Sequence, residues 1–118
     1  MLEIAVRKVK FDITNSWYNR SETYLSEIKN EVEEVIEKIP KQRNCYLEEE
    51  LGDVLWDYLS ILLASEKESG INISSVLSRA CTKYEKRISG IESGQLWADI
   101  ESKKKASLAA EYEPESNT

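Results

Sequence analysis

Histidine is missing altogether from the 118 residues. Nucleophilic catalysis by a Cys-His or Ser-His pair is thereby excluded, because each needs an imidazole to take up the nucleophile's proton. A general base must then be a carboxylate or a metal-bound hydroxide. Cysteine is scarce as well. Cys45 and Cys81 make no disulfide framework and fall in no metal-ligand spacing, so both are expected as reduced thiols in a cytoplasmic protein. With four Gly and two Pro, the chain has too few turn signals for an all-β fold. The amino terminus carries no apolar signal core, and no run approaches the roughly 18 apolar residues needed to span a bilayer. Neither secretion nor membrane insertion is expected. Basic side chains are outnumbered 16 to 22, for a net charge of −6, which argues against binding nucleic acid through a basic face. An acidic chain that handles phosphates needs metal ions in between.

What remains is dominated by helix formers, with apolar residues at helical spacing. Residues 2 to 14 read as a first amphipathic helix through Leu2, Ala5, Val6, Val9 and Ile13. Trp17 and Tyr18 follow in a polar break, where an aromatic pair either closes off a core or stacks on a nucleobase. Ser21 is the expected N-cap of a second helix, striped by Leu25, Ile28, Val32, Val35, Ile36 and Ile39 and stopped at Pro40. The short polar linker that follows favours an antiparallel hairpin with a third helix from about Leu47 to Glu68, the most apolar part of the chain. Gly70-Ile71-Asn72 breaks the chain. Ser74 or Ser75 starts a fourth helix, Gly90 and Gly94 bracket a turn, and Leu96, Trp97 and Ile100 begin a fifth helix ending in Lys103-Lys104-Lys105. The expected fold is all-α, a bundle of four to five helices in one domain over residues 1–110. Residues 111–118 are expected as a disordered acidic tail. A chain this short buries a modest core alone, so oligomerisation is expected to complete it.

The chemistry concentrates between Glu31 and Asp53. On a helical wheel Glu27, Glu31, Glu34 and Lys38 fall on one flank of the second helix's apolar stripe. On the third helix Glu50, Asp53 and Asp57 follow at i, i+3 and i+7. Residues three apart on a helix share a face, so Glu31 with Glu34 and Glu50 with Asp53 each present two carboxylates together. Carboxylates beside a buried seam lose hydration unless paired or bound to metal, and hard divalent cations favour oxygen ligands. Gly52 costs roughly 1 kcal/mol against Ala in a helix interior, which close approach of another helix or a ligand would explain. Glu34 and the neighbouring Glu49 are the candidates for a general base. Lys83 and Arg87, four apart with Lys86 adjacent, form the compact basic cluster of the sequence and suit a polyphosphate; Lys86 and Arg87 also suit the dipole at a helix end.

Glu31-x-x-Glu34, 15 intervening residues, and Glu50-x-x-Asp53 within Leu47-Glu-Glu-Glu-Leu-Gly-Asp-Val-Leu-Trp56 resemble the signature of the MazG-type nucleoside triphosphate pyrophosphohydrolases. The likeness runs on through Lys83-Tyr-Glu-Lys-Arg87 to Trp97, covering about residues 17 to 100. It implies an α-helical bundle formed by association of protomers, a homodimer or homotetramer. It implies Mg2+, or Mn2+ in its place, held by Glu31, Glu34, Glu50 and Asp53, and hydrolysis of a (deoxy)nucleoside triphosphate to the monophosphate and pyrophosphate. Lys83 and Arg87 would contact phosphates, Trp97 would lie near the nucleotide, and Trp17 is the further substrate-binding candidate. Where family members often place a Lys four residues after the tryptophan, this chain has Glu101, and its lysines begin at Lys103. A phosphoribosyl-ATP or dUTP-type pyrophosphohydrolase on the same helical plan is the alternative among the enzymes. A helical dimerisation or adaptor module, its acids merely solvating the bundle, is the alternative outside the enzymes.

Overall fold

The structure is a computed structural model that describes residues 1–16, 18–41 and 43–112, with Lys41 described in its backbone alone. It is all-α, with five α-helices and no strand among the described residues. Helix α1 spans Leu2–Asp12, α2 Arg20–Lys38, α3 Asn44–Ser69, α4 Ile73–Glu92 and α5 Trp97–Tyr112; a single 3-10 turn, Ile39–Lys41, follows α2. The chain divides into two compact units, Met1–Ile73 and the residues from Ser74 onward.

In the first unit α2 and α3 pack along most of their length, and α1 lies against α3. The hairpin is antiparallel, because numbers that rise along α2 meet numbers that fall along α3. The Ser21 amide donates to Glu68 Oε1 at 2.6 Å near one end, and Glu34 bonds Glu50 near the other. A small core gathers where α1 joins them, from Ala5 and Val9 of α1, Tyr24 of α2 and Leu63 and Ala64 of α3. Asp12 closes this end. Its carboxylate is fully buried, and it accepts from the Tyr24 hydroxyl at 2.6 Å and from the Lys8 ammonium one turn earlier. A charge can stay inside at this price because both oxygens have donors. Tyr18 tilts against Tyr24 with ring centroids 5.9 Å apart and packs on the core, the closing role open to an aromatic at this junction.

Several ends differ from the sequence expectation. Helix α1 stops at Asp12, two residues before Thr14, where the chain turns so that the Thr14 and Asn15 side chains cap the Phe11 carbonyl. Ser21 lies inside α2, which begins at Arg20, and its amide is satisfied by Glu68 of α3 instead of by a local cap. Helix α3 starts a turn early at Asn44; Lys38 and Arg43 both lie 6.0 Å from the Tyr46 ring and hold that extra turn against α2. It ends as expected at Gly70, whose φ of +69° supplies a left-handed cap. No described residue of the chain itself approaches Gly52: an added Cβ would meet nothing within 4 Å.

The second unit holds the counterpart. Gly90 does not bracket a turn but sits buried inside α4, where a Cβ would lie 2.8 Å from Ile100 Cδ1 and 2.9 Å from Gln95 Oε1. The missing side chain lets the start of α5 pack against the end of α4. The turn belongs to Gly94 (φ +91°). Helix α5 continues past Lys105 to Tyr112, and Arg79 of α4 donates to both carboxylate oxygens of Glu111, at 2.5 and 3.4 Å, which fastens its far end. Residues 113–118 of the expected tail lie outside the described residues. The free cysteines Cys45 and Cys81 are exposed, and no described helix is long and apolar enough to cross a membrane.

Candidate metal and phosphate site

Antiparallel pairing of α2 and α3 brings the two acidic spacings into one place. Glu31, Glu50 and Asp53 each offer a carboxylate oxygen, and these oxygens all lie within 4.8 Å of one another. Glu34, one turn on from Glu31, shares a hydrogen bond with Glu50 and stands beside that trio. Helix phase does this work: Glu31 and Glu34 point to one flank of α2, Glu50 and Asp53 to one flank of α3, and the seam between them is where those flanks meet. Glu49 is exposed on α3 next to Glu50.

The electrostatics record the crowding. Glu31 Oε2 and Glu50 Oε2 are sealed from solvent and have no hydrogen-bond partner among the described residues. Burial pushes the Glu50 carboxyl up to about 7, with the hydrogen bond and charge of Glu34 and then those of Glu31 adding to it. Burial also raises Glu31, helped by the charges of Asp53 and Glu34. Oxygens stripped of water and left without donors are what a hard cation satisfies. The donor set, entirely carboxylate, suits Mg2+ or Mn2+ and not a thiolate- or imidazole-seeking metal.

Asp57 belongs to the same row, and its role was not assigned from the sequence. It is only 6% exposed and pushed up to about 6, chiefly by burial, then by Glu27, Glu31 and Asp53, with Lys8 opposing. Its i+7 spacing from Glu50 was the available signal. What that spacing did not carry is the approach of Glu27 and Lys8 from α2 and α1.

The basic candidates come together in the second unit. Lys83 and Arg87 both lie on α4, and the Arg87 guanidinium sits 5.0 Å from the Trp97 ring and 5.5 Å from Tyr84, with Lys83 5.4 Å from Tyr84. Arg87 Nε is buried without a hydrogen-bond acceptor among the described residues. Trp97 stays 42% exposed, so part of its ring is open to a ligand. Trp17, the remaining candidate, lies outside the described residues.

No curated protein and no solved structure matches the chain. A family model does: the MazG nucleotide pyrophosphohydrolase domain matches residues 19–90, more than half of the chain. That span contains Glu31, Glu34, Glu50 and Asp53 as well as Lys83 and Arg87, and it ends before Trp97 and α5. With the match covering the whole α2–α3 hairpin and its acidic trio, the chain belongs to the MazG nucleotide pyrophosphohydrolase family.

Proposed function

We propose that this protein is a Mg2+-dependent nucleotide pyrophosphohydrolase that converts a (deoxy)nucleoside triphosphate to the monophosphate and pyrophosphate. The observation that carries this reading is the convergence of Glu31, Glu50 and Asp53 with two solvent-sealed, unpartnered oxygens. These three, with Glu34, would hold the cation. Bound there, a divalent ion neutralises phosphate charge and makes water more acidic.

Hydrolysis joins the oxygen of water to the α-phosphorus and breaks its bond to the α,β-bridging oxygen, which leaves with pyrophosphate. The proton of that water needs an acceptor, and in a chain without histidine a carboxylate takes it. The candidates are Glu34, which shares a hydrogen bond with Glu50, and the neighbouring Glu49; both are exposed. Lys83 and Arg87 are assigned to the phosphates, which guanidinium and ammonium groups bind as charge-assisted donors. Trp97 and Trp17 are assigned to the nucleoside.

Association of protomers fits the apolar residues left outside in a single chain. Val32 and Ile36 of α2 and Leu51 and Leu55 of α3 are 43–63% exposed, although they lie on the stripes that sequence patterning assigns to a core. A homodimer or homotetramer would cover them. The cytoplasm is the proposed compartment.

Pyrophosphate release from a panel of nucleoside triphosphates in millimolar Mg2+ tests the reading. Activity is expected on at least one of them. No release from any triphosphate, from dUTP or from phosphoribosyl-ATP would overturn it.

A further inference from the structure

Helices α4 and α5 line an open cavity of about 550 Å³ that carries five cations, Lys83, Lys86 and Arg87 from α4 and Lys103 and Lys104 from α5. No carboxylate lies among its described lining residues, in a chain where acids outnumber bases 22 to 16. None of the five cations has a salt-bridge partner among the described residues. Ser89, Ser93 and Gln95 add hydroxyl and amide groups at the end where Gly90 admits Ile100. Like charges gathered around one volume repel one another; the Tyr84 and Trp97 rings face Lys83 and Arg87, and Glu111 feels the charge of Lys104, but no carboxylate enters the lining itself. Arg87 Nε, shielded from solvent and lacking an acceptor, is a second mark of a missing partner.

We propose that this cavity is a binding site for a condensed phosphate anion, held without a metal ion, in which Lys103 and Lys104 of α5 complete a cationic lining begun by α4. A single phosphate carries too little charge to answer five cations; a chain of two or three phosphates matches them in charge and fits the volume. The lysine pair lies on α5, beyond residues 19–90 that the family model matches. Two close-packing devices set the geometry. Gly90 brings the near ends of the helices together, and the Arg79–Glu111 pair fastens the far ends, leaving the volume between. The site extends the assignment of Lys83 and Arg87 to phosphate under the proposed function, but it stands on the second unit alone.

The test is calorimetric titration of the full chain with sodium tripolyphosphate in buffer containing EDTA. Binding is expected, weakening steeply as salt rises. Lys103→Gln/Lys104→Gln is expected to lower affinity at least tenfold, with the helical circular dichroism unchanged, since Gln is a good helix former. Lys105→Gln, next in sequence but outside the lining, is expected to stay within twofold of the parent. Absence of binding by the parent, equal losses in the double variant and Lys105→Gln, or orthophosphate binding as tightly as tripolyphosphate would each overturn the proposal. Competition separates the sources of the anion: displacement by a nucleoside triphosphate marks the nucleotide's tail as the ligand, and failure to displace marks the free anion. Both results uphold a condensed-phosphate site. Glu50→Gln is expected to keep tripolyphosphate binding in EDTA while losing pyrophosphate release. If the parent releases pyrophosphate but shows no metal-free binding, this inference alone fails. If it binds but releases none, the hydrolase reading alone fails.

Discussion

Both units crowd charges of one sign, and they do so under opposite conditions. Between α2 and α3 the carboxylates border a packed seam, with Asp57 buried, Glu31 and Glu50 half-buried and Glu34 and Asp53 exposed; burial weakens the charged form, and Glu50 and Asp57 shift up to about 7 and about 6. Between α4 and α5 the cations surround an open volume, and no described carboxylate stands among them. The acidic crowd can relieve itself by taking up protons. Arginine has no such route near neutrality, and lysine keeps its charge unless strongly desolvated, so the basic crowd is relieved by an anion or by salt. Under the proposed reading, the acidic seam marks its ligand by proton uptake and the open cavity marks its ligand by cations with no carboxylate in the lining.

The sharpest way to break this comparison is to neutralise one member of the acidic crowd. Glu31→Gln or Asp53→Asn is expected to lower pyrophosphate release about 100-fold or more, the scale seen when one group that stabilises transition-state charge is removed. In EDTA at pH 8 the same variants are expected to melt higher than the parent, because repulsion has been removed. Lower melting of both in EDTA would mean that the carboxylates are structural partners and not an unfilled ligand set.

A pH series probes the same strain in the unaltered protein. A carboxyl whose folded pKa is raised binds more protons in the folded than in the unfolded chain between about pH 4 and 7, so unfolding free energy falls as pH rises through that window. Glu50, faced by Glu31 and Glu34, and Asp57, faced by Glu27, Glu31, Asp53 and Lys8, both act in this direction. Melting in EDTA is therefore expected to decline by several degrees from pH 5 to pH 8, and millimolar Mg2+ is expected to restore the loss at pH 8. A melting temperature that climbs over this range, or that ignores Mg2+, would remove the proton-uptake half of the comparison.

Two glycines give the smaller effects. Gly90→Ala sets a methyl group 2.8 Å from Ile100 Cδ1, so it is expected to cost about 1–3 kcal/mol by overpacking and to weaken tripolyphosphate binding with it, read by denaturant unfolding and calorimetry. Gly52→Ala meets open space inside α3 and is expected to gain up to about 1 kcal/mol in the same unfolding assay. A destabilised Gly52→Ala would show that a partner surface closes on that turn of α3.

The convergence of the acids was legible because its rule is local. Spacings of three along two helices, with a polar linker that makes them antiparallel, are enough to put Glu31 against Asp53 and Glu34 against Glu50. Asp57 shared that spacing, but its burial depends on Glu27 and Lys8 arriving from other helices, which no single stretch encodes. Gly90 was read in reverse. It looked like a turn because glycine commonly breaks helices, whereas it makes the close approach of Ile100 possible inside α4; within the described chain nothing approaches Gly52, and only the positions of neighbouring side chains separate the two. Glu101 at the position expected for a lysine drew attention to a gap, while Lys103 and Lys104 reach the Lys83–Arg87 cavity from further along α5. That outcome follows from the tight α4–α5 junction, which periodicity does not reveal.

The opposed numbering of α2 and α3 has a consequence for how this chain can change over evolutionary time. Residues added to or lost from the segment between the helices leave both acidic faces in phase, so the connection is free to vary in length. One residue inserted within α3 between Glu50 and Asp53 turns everything on one side of it by about 100° relative to the other. Such an insertion would carry Glu50 off the face that Asp53 shares while leaving composition almost untouched. Descendants of this sequence should therefore accumulate length changes around residues 40–43 and almost none between Glu31 and Glu34 or between Glu50 and Asp53.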